Sequence, residues 1–348
     1  MPRNPSDDPR SIIDEILNDR HGRPFANLAD AQRYLDARVQ AYNARPQKEL
    51  GGLSPLQMTQ LLSGDWSTTG AIMVTDTLDP SEIGDPDILH NARALLSTLR
   101  DDGPAKATAG GNLSREFVNR MLPRLRWPPG YLEDVRLVNK VIDEIDVGLL
   151  ETLRYVLQFA RLIHRRKGFH ISPAGRAMLE DGRQGKLLAL LFRTFFRDLD
   201  LRTLDGAESD GGLQQTIGFT LWRMRSEAKE WTTPLRLADV AWLESARDPH
   251  LSGSGWDEGK LREWRFRHRV IEPLVGFGLL ESRDLLAENK WEHPIEVRKA
   301  PLFDRLLRFD FRWRHLPSPT TFLSMDIPQA VKKGAPEHGE AILKVAAG

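Results

Sequence analysis

The stretch Leu153 to Asp181, LRYVLQFARLIHRRKGFHISPAGRAMLED, decides the architecture of this chain. It reads as an amphipathic helix, a short strand, a Lys167-Gly168 turn, a second strand, and a new helix opened by Ser172-Pro173. Leu162, Phe169 and Ile171 are the apolar positions of the hairpin, and Arg165, Arg166 and Lys167 occupy its tip. From Arg154 to Arg176 there are six Lys/Arg and no Asp or Glu. His164 and His170 flank the tip. A run of this kind points to binding, through contact with phosphate, and not to catalysis.

Outward from it, toward the N-terminus, Pro86 to Arg100 reads as a helix, capped by Asp85 and ended before Asp102-Gly103. Ala105 to Thr108 is short and extended. Asn112 or Ser114 caps a helix over Leu113–Leu122, and Trp127-Pro128-Pro129-Gly130 interrupts the chain. Tyr131 to Ile145 mixes apolar and acidic residues and fits an insertion between helices. Leu149 to Ala160 is the third helix. Three helices, an extended segment and a hairpin in this order resemble a winged helix-turn-helix, and HISPAGRAML resembles the LTPKGRALL ending common among winged helices. The resemblance implies a third helix directed at the major groove and a hairpin at the backbone. It places Arg165, Arg166 and Lys167 on phosphates. Arg154, Gln158 and Arg161 then share one exposed face of the third helix at about one-turn spacing, and Arg176 completes the patch. The competing view of the tip is a solvated hairpin end that discourages edge pairing.

A second unit of the same kind is expected over residues 234–309. Its long helix, Glu258 to Val275, has an apolar stripe at Leu261, Trp264, His268, Ile271 and Val275. Arg262, Arg265 and Arg269 align on another face and are further candidates for nucleic-acid contact, or else a solvent face paired with Glu258 and Glu272. A second hairpin spans Leu279–Val297, and Pro301–Leu307 follows as a short helix. This wing carries Glu281, Asp284, Glu288, Glu292 and Glu296, an acidity that counts against it as the main reader of DNA.

The remainder is mostly helical. Helices are expected at Ser11–Arg20, Leu28–Asn43, from Pro55, Arg183–Phe196 and Leu213–Ala228, with a short strand at Ala71–Val74. Gly51 and Gly52 form a turn. Residues 203–212 and 248–255 are loops, and residues 330–348 form a polar tail. Trp222, Trp242 and Trp264 are expected in the core, and Trp66, Trp127 and Trp313 near loops or ends. The phrases LGGLSPLQM (Leu50 to Met58) and GNLSREFV (Gly111 to Val118) resemble those of uncharacterised bacterial proteins, often linked to plasmids. That resemblance implies a bacterial cytosolic protein and carries no activity with it.

Bulk properties bound the function. The 348 residues hold 49 Lys/Arg and 49 Asp/Glu, so any nucleic-acid surface is a local patch on a neutral body. With 40% hydrophobic residues the chain can build real cores. It has no cysteine, which excludes disulfides, thiolate metal sites and a Cys nucleophile. No apolar run is long enough to span a membrane. Metal-ligand spacing, phosphate loops, dinucleotide fingerprints and nucleophile elbows are all missing.

The expected protein is therefore mainly α with small β-hairpins, two winged-helix units joined by a helical linker. Its regions are residues 1–84 (helical), 85–182 (first unit), 183–233 (linker), 234–316 (second unit) and 317–348 (tail). It is expected to be a non-enzymatic cytoplasmic protein without cofactor or metal. The leading function is binding of double-stranded DNA in a regulatory, mobile-element or defence setting. The alternative is a protein-interaction or oligomerisation module, with a protein partner or a second copy bound in place of nucleic acid and no membrane involved.

Overall fold

A computed structural model of the chain describes residues 28–63, 66–67, 70–206, 212–247, 257–285 and 294–311. Two compact units emerge: residues 1–56 with 311–348, and residues 57–310. The expected helix over Ser11–Arg20, the 248–255 loop, Trp313 and the tail lie outside the described residues.

In the smaller unit, α1 (Leu28–Ala44) forms as its apolar spacing predicts. The Gly51-Gly52 turn follows, both residues at positive φ, and α2 (Pro55–Ser63), which belongs to the larger unit from Gln57 onward, begins at the expected proline.

The larger unit is helical with three small antiparallel sheets. It runs β1 (Ile72–Val74), α3 (Pro80–Ile83), α4 (Asp87–Asp101), β2 (Ala105–Lys106), α5 (Arg115–Met121), α6 (Tyr131–Val138), a 3-10 turn (Glu144–Asp146), α7 (Gly148–Phe159), β3 (Ile163–Arg165), β4 (Gly168–Ile171) and α8 (Pro173–Ala177). Then come α9 (Gln184–Arg193) with a π turn (Thr194–Asp198), α10 (Ile217–Glu227), α11 (Pro234–Ala241), α12 (Glu258–Phe266), a π turn (Arg267–Ile271), α13 (Glu272–Gly276), β5 (Leu280–Asp284), β6 (Ile295–Lys299), α14 (Pro301–Leu306) and β7 (Leu307–Phe309).

The extended Ala105 segment enters the sheet as anticipated, giving the order β2-β4-β3, with Ala105 opposite Phe169 and Lys106 opposite Gly168. The second hairpin gains a third partner in the same manner. Thr232 bridges Val297 of β6, exchanging hydrogen bonds of 3.0 and 2.9 Å. Both halves thus follow one order: helix, short extended partner, helix, longer helix, hairpin, short helix. β1 pairs with β7, so a strand near residue 73 is closed by one near residue 308.

The first half buries Leu95, Leu96 and Leu99 of α4, Val118 and Met121 of α5, and Leu150, Leu153, Val156 and Leu157 of α7. Each such side chain contributes about 1.5–3 kcal/mol. Phe192, Phe195 and Phe196 from α9 and its π turn meet Phe277 at 5.3–6.0 Å between ring centroids, joining the two halves in one core.

Several local expectations change. α4 starts at Asp87 with Pro86 at the cap position and no side-chain cap. Asp85 instead pairs with Arg126. Trp242 is buried as expected, but Trp264 is 37% exposed and Trp222 half-buried; Trp66 lies in a loop as expected and is buried there.

Candidate nucleic-acid interface

The β3–β4 hairpin is built by close backbone approaches. α7 ends in a turn where the Leu162 amide donates to the Leu157 carbonyl (2.9 Å) and the Arg161 amide to Gln158 (2.9 Å). Arg161 takes the left-handed conformation there, φ 58°. Ser172 then caps α8 as the SPAGR phrase predicts: its hydroxyl accepts from the Gly175 amide (2.9 Å) and donates to the Arg161 carbonyl (2.8 Å). Gly175 is required because a Cβ would strike the Leu162 carbonyl oxygen and Ile171 Cγ1. These bonds hold Arg161 and the base of α8, with Arg176, beside each other at the foot of the hairpin.

At the tip, Arg165, Arg166 and Lys167 are exposed, and Lys167 adopts φ 56° to close the turn. The Arg165 guanidinium lies over Gly111, where a side chain would collide with it. His164 and His170 are register partners whose rings stack at 5.4 Å and 12°. His170 Nε2 lies 2.9 Å from the Arg166 carbonyl oxygen. Residues paired across a sheet share a face, so Lys106, opposite Gly168, stands on the same face as the two histidines. Lys106 is exposed and was missed as a site residue; its one signal in the sequence was membership of the extended Ala105 segment.

The charge bookkeeping sets this patch apart. Several carboxylates of this half are engaged by other cations: Asp143 with Arg115 (2.8 Å), Asp102 with Arg120 (3.2 Å) and Arg124 (3.5 Å), and Asp101 with Arg100 (2.7 Å). The Arg115 hydrogen bonds hold the Asp143 carboxyl below its ordinary value. Among the described residues, no ion pair reaches Arg161, Arg165, Arg166, Lys167 or Arg176.

Arg154 is a correction. It was expected on the exposed face of the third helix, but it is 3% exposed. Its Nε donates to Glu144 Oε1 (2.6 Å), its Nη1 donates to Gln158 Oε1 (2.8 Å), and its guanidinium lies 4.2 Å from the Tyr155 ring centroid and 5.3 Å from that of Phe169. Glu144 also accepts from the Leu113 amide (2.6 Å). Burial raises the Glu144 carboxyl above its ordinary value, against the pull of Arg154. The pair ties the loop before α5, the 3-10 turn and α7 together. Gln158 is half-buried and occupied by Arg154, so it too leaves the expected exposed face. Leu149 and Phe159 are exposed apolar residues of α7, and Thr152 and Tyr155 are half-buried like Gln158.

The second set also departs from expectation. Arg269 is fully buried and bidentate to Asp205, at 2.7 and 2.8 Å. The π turn over Arg267–Ile271 inserts extra residue length into the helix and rotates later positions away from α-helical spacing. Arg269 therefore turns inward with Val270 and Ile271, and the anticipated stripe breaks. Arg262 is paired with Asp239 (2.9 Å) and Glu258 (3.9 Å). Arg265 is half-buried on the same helix, α12, which packs on α11. In the second hairpin Arg283 pairs with Glu296 (2.5 Å) and Arg298 with Glu281 (2.7 Å), while both guanidinium groups lie over Trp231 at 4.4 and 4.7 Å.

Among the described residues no cluster of three His, Cys, Asp or Glu is placed to hold a metal ion, and no helix is long and apolar enough to cross a membrane. No solved structure matches the chain. A relative named "Uncharacterized protein y4jL", from Sinorhizobium fredii, is 33% identical over 72 residues, which cover 21% of this chain and 33% of the relative. The chain thus spans about a third of the length of the curated relative it matches. Residues 86–184, the run from α4 through the β3–β4 hairpin to the start of α9, match the family model described as the Y4jL N-terminal domain.

Proposed function

We propose that residues 86–182 form a winged-helix unit that binds double-stranded nucleic acid, DNA foremost, through its wing. The observation that carries this reading is the exposed Arg165-Arg166-Lys167 tip, which no ion pair from the described residues neutralises. Arg161 and Arg176 add exposed cations at the foot of the hairpin, while Lys106 and the stacked histidines add a cation and hydrogen-bonding groups on the sheet face opposite to Arg165, which pairs with Phe169. The repeated order of helix, extended partner, helix, helix and hairpin supports a tandem arrangement. The second unit serves as scaffold, because its hairpin cations are already paired.

The mechanism is wing-led. With Arg154 and Gln158 engaged inside the protein, α7 offers no cation to base edges. Contacts to phosphate position a protein but carry no sequence information. The unit is therefore a backbone binder with little preference between duplexes. Similarity to a bacterial protein fits a bacterial setting, and a cytoplasmic, plasmid-linked role is part of the proposal.

Fluorescence anisotropy with a labelled random duplex at low salt tests this. The intact chain should bind, a second unrelated duplex should bind within a few-fold, and Arg165→Ala/Arg166→Ala/Lys167→Ala should weaken affinity by at least about tenfold. Absence of binding by the intact chain at low salt overturns the proposal.

A further inference from the structure

Among the described residues of the larger unit, the segment between α5 and α7 holds the densest run of exposed large apolar side chains. No residue of α6 is buried. Leu137 is 83% exposed, Val138 82% and Ile145 70%, and Val141 and Leu149 are also exposed. Five large apolar side chains within 13 residues, open to water, mark an interaction surface. The segment is nevertheless held firmly at both ends. Tyr131 stacks on Trp127 at 5.4 Å and 2°, and Trp127 Nε1 donates to the Leu122 carbonyl (2.8 Å). Ile142, Glu144 and Val147 are buried at the far end. The chain therefore presents an apolar arch from a fixed base.

Charge identifies the occupant. Glu133 and Asp134 lie in the first turn of α6, with Arg136 in its last turn and Lys140 just beyond. All four are exposed, and among the described residues none of them is in an ion pair. Such a helix is complementary to itself run in the opposite direction. An antiparallel copy sets the acidic start of one helix against the basic end of the other and lays the two apolar arches together. That is the isologous geometry of a two-fold dimer, in which one patch contacts itself.

We propose that this protein forms a two-fold homodimer through α6 and the arch up to Leu149. Leu149 opens α7, and the wing follows the opposite end of that helix, so the dimer surface and the cationic tip occupy different ends of one element. The proposal does not depend on nucleic-acid binding.

Sedimentation velocity on the full chain tests it across about 1–100 µM. The expected species is twice 39.5 kDa. Leu137→Asp/Val138→Asp should raise the dissociation constant at least about 100-fold, leaving a folded monomer with the wild-type far-UV circular dichroism, since both positions are exposed. Glu133→Lys/Asp134→Lys and Arg136→Glu/Lys140→Glu should each weaken the dimer alone, and mixing these two variants should restore it. A single-chain mass for the wild type throughout the range overturns the proposal. So does a dimer unaffected by the apolar pair, or a mixture no more associated than its components.

Discussion

Arg154 shows how one residue changes meaning once its surroundings are known. On a helix, a cation four residues from a glutamine reads as an outward pair. The side chain turns inward because Glu144, ten residues earlier in a stretch without clear periodicity, waits as a buried carboxylate. Leaving one member of such a pair unmatched is costly. Glu144→Gln is expected to lower stability by about 3–5 kcal/mol, read as a shift of the urea midpoint with an unchanged slope. Ser172 was legible in a different way: the Ser-Pro start announced a capped helix, and the packing adds the reason for Gly175 three residues on. Gly175→Ala should cost about 1–3 kcal/mol, because the Leu162 backbone it would strike has little freedom to retreat. A melting temperature equal to wild type would refute that contact.

Among elements, hairpins and long helices were the easiest to anticipate. Alternation and a Lys-Gly turn located β3 and β4, and the apolar, Pro-opened run located α14. What spacing could not reveal was irregular helix. The π turn at Arg267–Ile271 has no compositional mark, so an α-helical projection placed Arg269 on the surface with Arg262 and Arg265. It also placed Trp264 in the core, where Phe266 sits instead. The two hairpins differ in what their cations meet. Those of the second are held by Glu281, Glu296 and Trp231, so Arg283→Ala/Arg298→Ala should leave duplex affinity within about two-fold of wild type, as expected for already neutralised surface pairs. A loss matching that of the first hairpin would show that both wings share the load.

At the scale of the whole molecule, long-range closure was invisible in the sequence. A three-residue strand at Ile72–Val74 meets another at Leu307–Phe309, and nothing in either segment names its partner. Phe277 likewise reaches back to Phe192, Phe195 and Phe196. Residues 57–310 should therefore unfold together, with far-UV circular dichroism and tryptophan fluorescence falling at one midpoint. Phe277→Ala should lower that midpoint, at a cost of about 3–5 kcal/mol, without splitting the transition. The neutral overall charge was legible, and it concealed the uneven distribution that matters: many acids paired with neighbouring cations, and a hairpin tip left bare. The most direct test of the wing is the salt dependence of duplex binding, for the intact chain beside Arg165→Ala/Arg166→Ala/Lys167→Ala. Each lost phosphate contact should flatten the slope of log affinity against log salt by about 0.9, so the triple substitution should flatten it by roughly 2 to 3. Equal slopes and equal affinities for the two proteins would contradict the account.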